Sequence, residues 1–283
     1  MATPATLRPD PAIVCSACAE WNAPRQPFKV FGNTYYVGSL GLSSVLIAGD
    51  QGLILIDVAL PQSAPLIDAN ITALGFRTAD IKMILTSHAH YDHVGGVRSL
   101  QRFTGATVGG SARTVEALAL GHPTPDDPQF ATDSSVRFPA VTNGARVVKD
   151  GETLRVGNIA ITAHYTPGHT PGATSWTWQS CEGTRCLAMA YVDSITPVSN
   201  DTFKYTAQPG LVDKFRKSID VVSNLPCDVL LTTHPSASGM DEKVKQRAQA
   251  SGADPFIEAG ACKALAQQSL AAFEKRVTEE RAR

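Results

Sequence analysis

The 283-residue sequence lacks an excess of charge of either sign, because 26 acidic and 25 basic residues leave a net charge of −1. It therefore lacks the strongly basic character typical of proteins that bind nucleic acid, and we expect no such partner. It also contains no run of about 18 apolar residues, so it predicts no membrane span. Hydrophobic residues make up 43% of the chain, enough for a sizeable core. Together these features favour a small-molecule partner.

The N-terminus lacks an apolar segment of the signal-peptide type, since it begins MATPATLR. Six cysteines nevertheless lie at loop-like places, at positions 15, 18, 181, 186, 227 and 262. An even number of cysteines in such places indicates disulfides and an oxidising compartment. We therefore expect a periplasmic or secreted protein in its mature form, from which the leader has been removed.

The spacing of the cysteines suggests particular roles. Cys181 and Cys186 bracket a plausible turn between two strands, and a bridge from Cys227 to Cys262 would pin the last helix to a sheet. Cys15 and Cys18 form a pair that suits a disulfide, a redox pair or a metal pair. No second pair of that spacing follows, which argues against a zinc ribbon.

Strand and helix patterns alternate along the chain in two similar series. Strands are predicted at 28–31, 34–37, 44–47, 53–57, 81–85, 106–108, 153–156, 159–163, 174–178, 187–192 and 228–232. Helices are predicted at 63–74, 95–103, 112–120, 211–225 and 262–281, and an aperiodic loop at 121–143. The series predicts one α+β domain over 27–283, made of halves 27–150 and 151–283 packed sheet to sheet with helices outside. Residues 1–26 form an N-terminal extension.

Residues 86–96 read TSHAHYDHVGG and follow directly on an apolar strand. His88 and His90 share one face of an extended segment, and Asp92 and His93 follow as the chain turns towards the next helix. The two glycines at 95 and 96 permit a tight turn and a close approach of the backbone. Imidazole and carboxylate are ligands that suit zinc. Four ligands on one short segment are too many for a single catalytic ion, so the segment predicts two metals.

Further metal ligands are expected from the second half of the chain. His169 lies in TPGHTPG after an apolar strand, and His234 follows the predicted strand at 228–232. Both positions are at the carboxyl ends of strands, where loops gather at one sheet edge. His122, in the long loop, and His164, inside a strand pattern, are better explained as structural or solvated histidines.

These motifs resemble those of the metallo-β-lactamase superfamily, over nearly the whole chain from about residue 27. Three details resemble the third subclass of class B β-lactamases. The histidine segment begins with His88, where another subclass has Asn, and Ser194 stands where another has a zinc-ligating cysteine. The segment PCDVLLTTHPSAS at 226–238, together with Cys262, matches that subclass's disulfide pattern. The resemblance implies an αβ/βα four-layer sandwich, which agrees with the duplicated halves.

The resemblance also implies a function and a set of site residues. It assigns His88, His90 and His169 to a first Zn²⁺ and Asp92, His93 and His234 to a second, with no cysteine ligand. It implies a hydrolase that opens the amide of β-lactam antibiotics (penicillins, cephalosporins and carbapenems) with a zinc-bound hydroxide and no acyl-enzyme. Separately from the resemblance, we expect a monomer. Asp92 and Ser194 are the expected catalytic residues, and Ser194 and Thr196 the expected substrate-binding residues.

Two alternatives use the same segment. Glyoxalase-II-like thioesterases and lactonases resemble the chain in the histidine segment but use an aspartate that bridges both metals, and Asp193 lies near that position. Disulfides argue against a cytosolic thioesterase. A non-catalytic zinc protein on this fold is the other alternative, although such relatives usually lose ligands and all six are present here.

Overall fold

Two β-sheets form the centre of the computed structural model, which describes residues 6–249 and 252–282. The first sheet has seven strands in sequence order: β1 (Phe28–Phe31), β2 (Thr34–Tyr36), β3 (Val45–Gly49), β4 (Gly52–Ile56), β5 (Ile81–Leu85), β6 (Thr107–Gly110) and β7 (Ala145–Val147). The second has five: β8 (Thr153–Val156), β9 (Ile159–Tyr165), β10 (Thr174–Glu182), β11 (Arg185–Val192) and β12 (Val229–Thr232). Its strand order is β12-β11-β10-β9-β8.

The central strands are apolar on both faces because each sheet is covered on both sides. In β4, Ile54 and Ile56 face the other sheet, whereas Leu53 and Leu55 face the helices of the first half. The core between the sheets also contains Trp176, which is fully buried and donates Nε1–H to the Thr86 carbonyl at 3.2 Å. Side chains alternate across a strand, so these runs each supply two hydrophobic layers.

Helices cover the outer face of each sheet. The α-helices of the described residues are α1 (Cys18–Trp21), α2 (Ala64–Ala73), α3 (Tyr91–Val94), α4 (Val97–Thr104), α5 (Ala112–Leu120), α6 (Leu211–Ser223), α7 (Met240–Gln249) and α8 (Ala261–Arg281). Apolar side chains of α2, α4 and α5 pack on the first sheet, and those of α6 and α8 pack on the second. The order helix, sheet, sheet, helix confirms the predicted αβ/βα four-layer sandwich.

The carboxyl ends of several strands meet at one edge of the sandwich. Strands β4, β5, β6 and β7 pair in parallel in the first sheet, and β11 pairs in parallel with β12 in the second. Strand β9 runs in the same direction as β11, because both are antiparallel to β10 between them. The loops that leave β5, β9, β11 and β12 therefore lie together, which is the condition that the predicted metal site required.

Disulfides pair all six cysteines. Cys181 and Cys186 face each other across the β10–β11 hairpin, and Cys227 is joined to Cys262 at the start of α8, as the sequence suggested. The third bridge joins Cys15 to Cys18. Of the roles that the sequence left open for this pair, the structure therefore shows the disulfide. Among the residues described, no helix combines the length and the apolar character that a bilayer crossing needs.

Candidate metal centre

Six predicted ligands come together at the shared edge from three stretches of the chain. Residues 86–94 leave β5 and turn into α3, residue 169 lies in the loop after β9, and residue 234 follows β12 by two positions. Their ligand atoms form two groups, each with all its atoms within 4.8 Å of one another. We name them the three-histidine set (His88, His90 and His169) and the aspartate set (Asp92, His93 and His234).

The two sets lie side by side. The rings of His88 and His93, one from each set, have centroids 4.3 Å apart. Within the aspartate set, Asp92 Oδ2 lies 3.3 Å from His93 Nε2 and 3.4 Å from His234 Nε2. Five of the six side chains are buried, and only His234 is partly open to solvent. The geometry therefore provides two adjacent pockets of nitrogen and oxygen donors.

Four of the five imidazoles contact an oxygen acceptor through the ring nitrogen that lies away from the two sets. We call this the outer nitrogen and the other one the inner nitrogen. These contacts are His88 Nδ1 with Asp193 Oδ1 at 2.6 Å, His90 Nε2 with Asp127 Oδ1 at 3.1 Å, His169 Nδ1 with the Thr196 carbonyl at 3.0 Å, and His234 Nδ1 with the Gly41 carbonyl at 3.2 Å. In a neutral ring, an N–H given to such an acceptor leaves the other nitrogen with a free lone pair. Outer partners of this kind orient the histidine ligands of metals in proteins.

One inner nitrogen shows directly that the set fits a metal ion. His88 Nε2 is buried and has no hydrogen-bond partner among the described residues. Burial and the neighbouring histidines hold the pKa of His88 well below its usual value, and they lower the pKa of His169 to about 3. Both rings are therefore neutral, the form that binds zinc. A buried, unprotonated and unpartnered nitrogen is costly unless a ligand takes its lone pair.

The aspartate set has a different charge balance. Burial raises the pKa of Asp92, but His93 and His234 outweigh burial and hold that pKa well below its usual value. Burial lowers the pKa of His93, whereas Asp92 and Asp57 raise it, and the net value is about 9. A metal ion that binds His93 must displace its proton, so metal binding at this set depends on pH.

Two glycines allow the histidine segment to pack against the end of β4. A Cβ on Gly95 would lie 2.4 Å from Pro61 Cδ, and one on Gly96 would lie 2.6 Å from the Val58 carbonyl oxygen. Both glycines have ordinary right-handed φ values, −54° and −86°. The sequence suggested two reasons for these glycines, a tight turn and a close approach of the backbone. The close approach applies, whereas the turn needs no glycine.

A cleft of about 250 Å³ opens in front of both sets. Ser194 and Thr196, the predicted substrate-binding residues, line this cleft. Ser194 Oγ lies 2.8 Å from Thr233 Oγ1, and Thr196 Oγ1 lies 3.3 Å from His169 Nδ1. Their hydroxyl groups are therefore held beside the two sets, on the loop that leaves β11.

The remaining titratable candidates lie outside both sets. His164 Nε2 contacts Thr177 Oγ1 at 2.7 Å, and His122 Nδ1 donates to the Pro123 carbonyl at 2.7 Å. Asp193 belongs to neither set, because its Oδ1 accepts from the outer nitrogen of His88. It therefore orients a predicted ligand and does not occupy the bridging position that a thioesterase would need.

The sequence missed four residues that shape the centre. Asp127 and Gln129 come from the long loop after α5, and Trp21 comes from the N-terminal extension. Gln129 and Trp21 line the cleft. The ring of Trp21 lies 5.3 Å from that of His234. Asp57, which ends the apolar run of β4, is fully buried behind the histidine segment. Only Asp57 had a usable signal, a carboxylate directly after a buried strand.

Comparison with known proteins supports the same assignment. The sequence model of the metallo-beta-lactamase superfamily matches residues 38–234, more than half of the chain. The chain belongs to the metallo-beta-lactamase superfamily. The structure of Rm3 metallo-beta-lactamase matches with a TM-score of 0.91 and 46% identity, covering 95% of this chain and all of that one. MEM-A1, a subclass B3 metallo-beta-lactamase from a soil metagenome library, matches at 0.87 and 42%, covering 93% and 99%.

A curated relative is more distant in sequence. The uncharacterised protein YobT of Bacillus subtilis (strain 168) is 31% identical over 147 residues, which are 50% of this chain and 59% of YobT. The match thus spans less than two thirds of that relative. The structural matches, which extend over nearly whole chains, confirm the predicted resemblance to the third metallo-beta-lactamase subclass and its two zinc-binding groups.

Proposed function

We propose that this protein hydrolyses the amide bond of β-lactam antibiotics, with penicillins, cephalosporins and carbapenems as the substrate class. The observation that carries the proposal is the pair of complete donor sets, with Asp193 in neither of them and its Oδ1 on the outer nitrogen of His88. The metallo-beta-lactamases that match along almost their full length support it. Two zinc ions held by the sets would supply a Lewis acid for the lactam carbonyl and a hydroxide at neutral pH.

The chain's own residues then bind and orient the substrate. Most β-lactam antibiotics carry a carboxylate beside the ring, and the hydroxyl groups of Ser194 and Thr196 are placed in the cleft to donate to it. Asp92, whose pKa is held low, stays ionised and can accept a hydrogen bond from a water molecule, orienting it to pass a proton to the leaving nitrogen. Burial keeps the imidazoles of His88 and His169 neutral and limits competing protonation.

A thioesterase on the same centre is the second candidate, and the contacts of Asp193 count against it. A bridging aspartate must present an oxygen to both sets, whereas Asp193 Oδ1 lies 2.6 Å from the outer nitrogen of His88. The three disulfides also favour an oxidising compartment. We therefore propose an exported protein that acts in the periplasm or outside the cell. A monomeric state and the lack of a nucleic-acid partner remain predictions.

The deciding experiment compares turnover of a chromogenic cephalosporin, a carbapenem and a thioester of glutathione. We expect hydrolysis of both β-lactams, its loss in excess chelator and its return with added zinc. Preferred turnover of the thioester, or full activity after zinc has been shown to be gone, would refute the proposal.

Two histidine variants provide a matched pair for this assay. His169→Ala removes a member of the three-histidine set, whereas His164→Ala removes a histidine five positions earlier that belongs to neither set and contacts Thr177. We expect kcat/KM of His169→Ala to fall more than about 100-fold. Loss of a ligand should exceed the loss of about 10- to 100-fold that is typical when a residue supporting a ligand is replaced. His164→Ala should stay within about threefold of the parent, the range of one hydrogen bond. Equal losses in the two variants would contradict the assignment.

A further inference from the structure

The outer partners of His90 and His169 lie on two loops that form no part of either sheet. Asp127, which contacts His90, lies in the loop after α5, and Thr196, whose carbonyl contacts His169, lies in the loop after β11. The structure describes both loops around these two residues and shows neither helix nor strand there. The two loops therefore lack the ladder of backbone hydrogen bonds that fixes a strand, and their positions depend on individual contacts.

Asn200 makes two hydrogen bonds from the second loop to the first. Its backbone N–H donates to the Pro128 carbonyl at 2.8 Å, and its side-chain Nδ2 donates to the Phe130 carbonyl at 2.9 Å. Pro128 directly follows Asp127, and the Phe130 N–H donates to the Asp127 carbonyl at 3.0 Å. The two bonds therefore hold the chain on the carboxyl side of Asp127 against the loop that carries Thr196.

The loop that contains Asn200 is itself anchored to α8. Arg276 Nη2 donates to Ser199 Oγ at 2.9 Å and to the Phe203 carbonyl at 3.2 Å, on either side of Asn200 in the chain. Asn200 Oδ1 accepts from the backbone N–H groups of Thr202 and Phe203 at 3.0 and 2.9 Å. Because two N–H donors lie on one side of the amide and a carbonyl on the other, only one orientation of the amide satisfies all three.

We propose that Asn200 is a positioning residue for the three-histidine set. It ties the two loops together and so fixes Asp127 and Thr196 relative to each other, and these two partners set the directions of the inner nitrogens of His90 and His169. Such outer partners raise metal affinity, because less order is lost when the ion binds to ligands that are already oriented. This role concerns zinc alone and does not depend on which substrate is hydrolysed.

The aspartate set provides an internal reference. Its partly open ligand, His234, is oriented by the Gly41 carbonyl, which lies between β2 and β3 and in neither of the two loops. Separation of the loops should therefore weaken zinc binding at the three-histidine set and leave the aspartate set unchanged. A residue that merely stabilised the fold would affect both sets alike.

The test variant is Asn200→Asp, which keeps the acceptor for the turn and replaces the amide donor by an oxygen beside the Phe130 carbonyl. We expect zinc to bind the three-histidine set about three- to tenfold more weakly, the effect of one hydrogen bond. Zinc affinity is measured by competition with a chelator in two backgrounds. His234→Ala leaves only the three-histidine set complete, and His169→Ala leaves only the aspartate set complete. In the second background the affinity should not change.

Thr202→Val is the matched control, because Thr202 Oγ1 donates to Asn200 Oδ1 at 3.0 Å, on the side of the amide away from the first loop. It should leave zinc affinity unchanged in both backgrounds. Asn200→Ala removes the donor without adding a charge, and it decides the question if the aspartate variant does not fold or if its added charge attracts the cation. A loss confined to the three-histidine set in either Asn200 variant supports the role. Unchanged or stronger zinc binding at that set in both variants, or an equal loss at the two sets, would overturn it.

Discussion

The disulfide between Cys227 and Cys262 should contribute more to stability than the one between Cys181 and Cys186, because it closes a much longer loop. The sequence separations are 35 and 5 residues. In the chain-entropy treatment, the longer loop corresponds to about 4 kcal/mol of stability and the shorter to about 2 kcal/mol at 25 °C. The difference of about 2 kcal/mol is the quantity to be tested.

Local packing acts in the same direction as loop length. Cys262 is buried at the start of α8 and packs in the core beneath that helix, whereas Cys181 and Cys186 are exposed at the end of a hairpin. Replacing Cys262 by alanine therefore removes buried contacts as well as the cross-link. Loss of the hairpin bridge leaves the cross-strand hydrogen bonds of β10 and β11 in place.

The assay is guanidinium chloride unfolding of two double variants, Cys227→Ala/Cys262→Ala and Cys181→Ala/Cys186→Ala. Chelator is present throughout so that bound zinc does not add to the free energy of unfolding. Mass spectrometry of the unreduced proteins should first show that the other two bridges are intact. If the two double variants lose equal stability, or the hairpin variant loses more, the loop-entropy reasoning is wrong.

Two further predictions concern buried carboxylates. Asp193→Asn should weaken zinc binding at the three-histidine set about 10- to 100-fold, because a neutral acceptor replaces the carboxylate behind His88; unchanged affinity in a chelator titration would contradict this. Burial raises the pKa of Glu280, but hydrogen bonds from Thr206 and Arg276 outweigh it and lower the net value. Glu280 therefore stabilises the fold above its unfolded pKa of about 4.3. The stability difference between the parent and Glu280→Gln, measured by urea unfolding, should be constant near pH 7 and shrink below about pH 4; a difference independent of pH would count against the cause given.

Strands and helices that bury an apolar face were predictable from the sequence, and those that do not were missed. Strand β7 is a three-residue edge strand with no buried position, so its sequence has no alternation to detect. Helix α7 has one buried residue, Met240, and therefore lacks the apolar stripe of an amphipathic helix. The predicted helix at 95–103 instead begins at Val97 and follows the separate turn of α3, because the histidine segment itself is helical at residues 91–94.

The metal ligands were predictable because histidine and aspartate side chains carry the chemistry themselves. Their outer partners were harder to predict, since two of the four acceptors are backbone carbonyls, those of Gly41 and Thr196, and every residue has one. Asp127 and Gln129 lie in a loop without periodicity, where nothing in the sequence gives the direction of a side chain. The sequence thus specifies which groups bind the metal, and the folded chain decides which nitrogen of each ring does so.

Asp57 connects the two halves of the sandwich beside the candidate metal centre. Its carboxylate accepts from the backbone N–H of Ser87 at 2.8 Å, from the Ser87 hydroxyl at 2.6 Å and from the Tyr191 hydroxyl at 2.8 Å. Ser87 precedes His88 in the first half, and Tyr191 lies two residues before Asp193 in the second. Asp57 has a left-handed backbone, with φ of 55°, which costs about 1–3 kcal/mol in a residue other than glycine. These three hydrogen bonds offset that cost, and they place His88 opposite Asp193, so one strained residue links both sheets at the point where the donor sets meet.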